Sequence, residues 1–131
     1  MSMNVISTDK APAAIGHYEQ AVIAGGFLYT SMQLPLIPGH EDQPIAHTMQ
    51  EQTYQLLKNI KAILEAAEVG ISSVVQVRLY LKSMDHFPIV NQVYESVMGA
   101  HKPARSVVVV QELPKGFGVA MEVVAHIEKS S

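Results

Sequence analysis

The sequence predicts an α+β fold, a mixed sheet carrying two helices on one face, within a single domain spanning residues 1–131. Three observations predict it. Val75–Lys82 alternates apolar and polar residues, the period of a half-buried strand. From about His47 to Ala67 the positions Met49, Thr53, Leu56, Leu57, Ile60, Leu64 and Ala67 recur at helical spacing. Two β-prone runs, Gln20–Ala24 and Phe27–Ser31, flank Gly25-Gly26, a pair that supplies the positive φ angles a tight hairpin demands.

In order, the hairpin at 20–31 comes first and the long amphipathic helix follows, with Gly70 as its expected left-handed stop. The strand at 75–82 points Val75, Val77, Leu79 and Leu81 one way and Gln76, Arg78, Tyr80 and Lys82 the other. A second helix is predicted to open at Asp85 as N-cap with Pro88 in its first turn. It presents Val90, Tyr94, Val97 and Met98 on one face and stops before Gly99. Two strands close the chain, at 105–111 and at 119–127. The helices then cover one sheet face, and the last two strands carry apolar residues on both sides with no third helix to cover them. Self-association is the expected remedy.

Bulk properties narrow the function. With 131 residues and 48% hydrophobic content, the chain is long enough for one buried core. No run approaches the ~18 apolar residues of a membrane span and no signal-peptide pattern opens the chain, so a soluble, cytoplasmic protein is expected. There is no cysteine, which excludes disulfides and thiolate chemistry. Net charge is −3 and the nine Lys and Arg are scattered. That pattern lacks the electrostatic footprint of a nucleic-acid partner.

Two charges stand out. Arg105 sits at the start of the strand Pro103-Ala104-Arg105-Ser106-Val107-Val108-Val109-Val110, and its planar fork of donors suits a carboxylate. Glu122 is the other lone charge, sharing a strand face with Ala120, Val124 and His126. If the last two strands are antiparallel neighbours joined by Leu113-Pro114-Lys115-Gly116, residues 105 and 122 lie close. Spacing then leaves two readings open, an ordinary salt bridge or a site in which Arg holds an acid and Glu works on water. The six histidines form no metal-ligand pattern, and Gly25-Gly26 is not a phosphate loop.

Taken together, Ala11-Pro12-Ala13-Ala14-Ile15-Gly16-His17-Tyr18, Thr30-Ser31-Met32-Gln33-Leu34-Pro35, Pro103-Ala104-Arg105-Ser106, Leu113-Pro114-Lys115 and Met121-Glu122 resemble the RidA (YjgF) family over nearly the whole chain. The resemblance implies a chorismate-mutase-like subunit in a homotrimer, with a ligand cleft at each subunit interface. It implies hydrolytic deamination of reactive enamines and imines, 2-aminoacrylate/2-iminopropanoate and 2-iminobutanoate, to a 2-keto acid and ammonia, without cofactor or metal. The partner is then a small 2-imino or 2-keto acid held between subunits, and no membrane takes part.

On that resemblance Arg105 binds the substrate carboxylate and Glu122 is the general acid/base. Tyr18 lines or closes the cleft, Ser31 matches the pocket serine, and Asn91 matches a second-helix asparagine expected to act structurally. The chain departs from the family pattern at His17 in place of Pro, Val107 in place of Cys, and Met32 in place of Gly. The Met32 thioether is expected to narrow or reshape the substrate pocket. The alternative is a non-catalytic trimer that binds small keto acids and regulates another protein. RNA cleavage ranks behind both, because the chain offers no basic groove and no Trp for stacking.

Overall fold

Gly25 and Gly26 take φ of 60° and 85°, and the hairpin they close joins β2 (Ala21–Ala24) to β3 (Phe27–Thr30) as the sequence predicts. In this computed structural model, which describes residues 3–43 and 48–127, a short strand β1 (Asn4–Ile6) adds to the outer edge of β2. Three residues carry too little periodicity to be read from sequence. The long helix α1 (Met49–Ala66) starts from Thr48, whose hydroxyl accepts from the Glu51 amide. The expected start at His47 lies outside the described residues. Its end differs from expectation: Glu68 takes the positive φ, 61°, and Gly70 is extended.

The strand β4 (Val74–Leu81) carries a bulge between Val74 and Gln76. That extra residue resets the alternation, so Val74 is buried while Val75, expected to face inward, is exposed. The second helix, α2 (Phe87–Met98), is preceded by a 3-10 turn over Met84–His86, and Ser83 caps that turn by accepting from the Asp85 amide at 3.0 Å. Asp85 is therefore not the cap. Gly99 ends α2 at φ 62°, as expected.

The last two strands are β5 (Ala104–Val109) and β6 (Val119–His126), and the sheet order is β1-β2-β3-β6-β4-β5. They are not neighbours. β5 runs parallel to β4 at the sheet edge, with α2 as the crossover that parallel pairing requires. β6 lies between β3 and β4, antiparallel to both. The chain after β5 turns back past the end of β4, where Leu81 accepts from Val110 and Gly118 accepts from Lys82.

Both helices pack on one face, as predicted. Leu56, Leu57, Ile60, Ile63 and Leu64 of α1 and Val90, Val93, Tyr94 and Met98 of α2 join Val77, Leu79, Leu81, Val119, Met121, Val123 and Ala125 in one core. Each fully buried aliphatic side chain there contributes about 1.5–3 kcal/mol. The other face has no helix and is mixed in chemistry. Tyr29, Val108 and Val124 share it with Gln76, Arg78, Tyr80, Glu122 and His126. Among the described residues no helix is long and apolar enough to cross a membrane.

Candidate functional site

Strand register decides where the two lone charges go. Arg105 pairs with Val77, whose side chain points into the helix layer, so Arg105 points the same way. Glu122 pairs with Arg78 and shares the opposite face. With β4 between their strands, the two do not meet within one chain, and the salt-bridge reading fails for that reason.

Arg105 Nη1 donates to Asn91 Oδ1 at 2.8 Å, and Asn91 Nδ2 donates to Glu95 Oε1 at 2.9 Å. Glu95 thus turns the amide oxygen toward the guanidinium, a positioning role for Asn91. The guanidinium carbon stands 4.9 Å from the Tyr94 ring centre and 5.5 Å from that of Phe87. Such cation–π contacts hold the guanidinium group without consuming its in-plane donors. Among the described residues Arg105 has no carboxylate partner. It opens on a cleft of about 530 Å³ lined by Asn91, Tyr94, Met98, His101, Lys102 and Arg105 among others, within the size range of small-ligand sites. Burial pushes the Tyr94 phenol above the usual tyrosine range, with the Arg105 charge acting against it. The Tyr94 hydroxyl is buried without a hydrogen-bond partner among the described residues.

Glu122 has different company. Tyr80 donates its hydroxyl hydrogen to Glu122 Oε1 at 2.6 Å, and Arg78 Nη1 lies 3.5 Å from the same oxygen. The hydrogen bond to this carboxylate, then partial burial, raises the Tyr80 phenol above its ordinary value. A hollow of about 170 Å³ beside them is lined by Tyr29, Thr30, Gln76, Arg78 and Glu122 with the neighbouring β6 valines.

Tyr18 and Met32 come together. Both are substantially exposed and line an apolar cleft of about 190 Å³ with Ile15, Leu34, Pro114 and Lys115. Ser31 lies beside them but donates its hydroxyl to the Glu19 carbonyl at 2.6 Å, which ties the end of β3 to the segment bearing Tyr18. Gln20 fixes that segment further, its amide nitrogen donating to the Thr8, Ala11 and Pro12 carbonyls. The Gln33–Met121 bridge lays residue 33 alongside β6 next to Glu122.

The predicted site residues therefore form three groups in one chain: Arg105 with Asn91 on the helix side, Tyr18, Ser31 and Met32 at the 31–36 segment, and Glu122 on the helix-free face of β6. The sequence reasoning did not assign Tyr80, Arg78 or Tyr94 to the site. The signals were present: Arg78 and Tyr80 alternate onto one strand face, and Tyr94 follows Asn91 by three residues on a helix.

The model of the family described as Endoribonuclease L-PSP matches residues 8–127. A RutC family protein of Pyrococcus abyssi is 41% identical over 98% of this chain and 100% of its own length. The 2-iminobutanoate/2-iminopropanoate deaminase of Salmonella typhimurium is 38% identical over 92% of this chain and 94% of its own. The crystal structure of Escherichia coli TdcF with bound serine superposes with a TM-score of 0.88 at 32% identity, covering 95% of this chain and 99% of that one.

Proposed function

The chain belongs to the Endoribonuclease L-PSP family, the RidA family its motifs resemble, and from that premise we propose that it is a cofactor-independent hydrolytic deaminase of 2-imino acids. Its substrates are 2-iminopropanoate, with its enamine tautomer 2-aminoacrylate, and 2-iminobutanoate, and its products are 2-keto acid and ammonia. The observation that carries this reading is Arg105, an oriented guanidinium with no carboxylate partner among the described residues, opening on a cleft of small-ligand size. The deaminase relative of Salmonella typhimurium and the serine bound to TdcF support a small amino-acid-like ligand.

Arg105 grips the substrate carboxylate through a charge-assisted fork and fixes the imine carbon C2. Glu122 takes a proton from water as the water oxygen bonds to C2 and hands it to the imine nitrogen, which gives the tetrahedral carbinolamine. Glu122 then takes the hydroxyl proton and passes it to the amine as the C=O bond forms and the C–N bond breaks, so ammonia leaves with the keto acid complete. Imines of this kind already hydrolyse in water, so orientation and modest acid/base help are sufficient. Tyr18 and Met32 form an apolar wall for the substrate's methyl or ethyl group.

Arg105 and Glu122 occupy opposite faces of one chain, so a site that uses both takes them from different copies. We place the site between subunits of a homotrimer, where β5, an edge strand, brings Arg105 of one copy against the uncovered face of the next. The test is pyruvate release from freshly generated 2-iminopropanoate. Wild type should accelerate it, and Arg105→Ala should remove the acceleration. A keto-acid-binding trimer without catalysis predicts pyruvate binding with no rate gain. An unchanged rate with wild type rejects the deaminase.

A further inference from the structure

We propose that Tyr80 and Arg78 are positioning residues for Glu122, anchoring its carboxylate through Oε1 so that Oε2 is the oxygen that meets the reacting water. The inference rests on the acid/base role given to Glu122 above.

Both donors converge on one oxygen. Tyr80 Oη reaches Oε1 at 2.6 Å, the short distance of a charge-assisted O–H···O bond, and Arg78 Nη1 stands 3.5 Å from the same atom. Among the described residues no donor contacts Oε2. A carboxylate held by one oxygen keeps its plane and turns its second oxygen to a fixed direction, which is what proton transfer to or from a placed water requires.

The anchors stand on β4, which pairs with β6 along the longest ladder of the sheet. Arg78 is directly opposite Glu122 in the β4–β6 ladder, and Tyr80 is the next residue of β4 on that face. The inner faces of β4 and β6 are packed in the core. The same bond raises the Tyr80 phenol, since a phenol that donates to a carboxylate resists losing its proton. The hollow beside Glu122 has space for the small reactants. The Arg78 side chain is 49% exposed, so water screens its charge, and Tyr80 is the stronger anchor.

The experiment compares wild type, Tyr80→Phe, Arg78→Gln, Glu122→Gln and the Tyr80→Phe/Glu122→Gln double variant on freshly generated 2-iminopropanoate. Pyruvate affinity and Tm are measured beside turnover. Tyr80→Phe keeps the ring and its packing, so a purely structural role predicts little change in any readout. The positioning role predicts a fall of about tenfold in kcat/KM with pyruvate Kd unchanged, and a smaller fall for Arg78→Gln. In the Glu122→Gln background, removing the Tyr80 hydroxyl should cost nothing further, because the group it positions is already gone. Equal turnover in wild type and Tyr80→Phe, or a full additional loss in the double variant, would overturn the inference. A wild type with no rate gain would instead overturn the deaminase reading itself, and the role of Tyr80 with it.

Discussion

Arg105 and Glu122 are each a single charge on an otherwise apolar strand, and the protein steadies them by different means. Arg105 is stacked on Tyr94 and Phe87 and tethered by Asn91, contacts that orient a cation without neutralising it. Glu122 is held by a phenol and a screened guanidinium. The Tyr80–Glu122 bond can be followed directly. Because the bond to the carboxylate raises the Tyr80 phenol, Glu122→Ala should lower its titration toward the ordinary tyrosine value, read as the 295 nm absorbance difference against Tyr80→Phe. A Tyr80 titration unmoved by Glu122→Ala would show that the bond is not formed in solution. Both lone charges were legible in the sequence, as was the Asn91 match. Their partners were not, because a strand's alternation says which residues share a face but not which strand lies alongside.

Among the elements, the segment bearing Tyr18 and the segment bearing Met32 have little regular structure and are held by side chains. Glu41 accepts from the Ala13 and Gly39 amides, and these hydrogen bonds keep its carboxyl below the ordinary carboxylate range. A depressed folded value means stability that is present above the ordinary carboxylate value and lost as pH falls through the lowered one. The Tm difference between wild type and Glu41→Gln should therefore be largest near neutral pH and shrink in acid, as thermal melts across pH would register. Asn59, fully buried on α1, donates to the Leu34 and Leu36 carbonyls and so ties the Met32 segment to the helix layer. Asn59→Ala leaves both acceptors unpaired, and denaturant unfolding should show a loss of about 1–3 kcal/mol.

The elements themselves were largely readable, since β4, α1 and α2 have long periodic patterns, β6 is a long apolar run and Gly25-Gly26 closes the predicted hairpin. What local sequence could not fix was the extra bulge residue at Val75, the Glu68 turn in place of Gly70, and the insertion of β6 between β3 and β4. The last depends on core packing between segments far apart in the chain. It also decides the site, because an antiparallel β5–β6 pair would have put Arg105 and Glu122 side by side.

At the scale of the whole molecule, the helix-free face is less apolar than the sequence suggested, with Arg78, Glu122 and His126 among its valines and tyrosines. Such a surface fits an interface that also contains a polar site. Assembly as a homotrimer predicts a solution mass of three 14.3 kDa chains by light scattering, and a mass of one chain would remove the proposed interface. A mixed assembly goes further, because it asks whether Arg105 and Glu122 act on one substrate from two chains. Arg105→Ala and Glu122→Gln proteins, each with little turnover alone, are unfolded together, refolded as a 1:1 mixture and assayed for pyruvate release from freshly generated 2-iminopropanoate. Random reassembly of a cyclic trimer pairs an intact Arg105 with an intact Glu122 at about a quarter of its interfaces, so about a quarter of wild-type turnover should return. A mixture as inactive as its two components, while wild type refolded the same way is active, would contradict a site shared between chains.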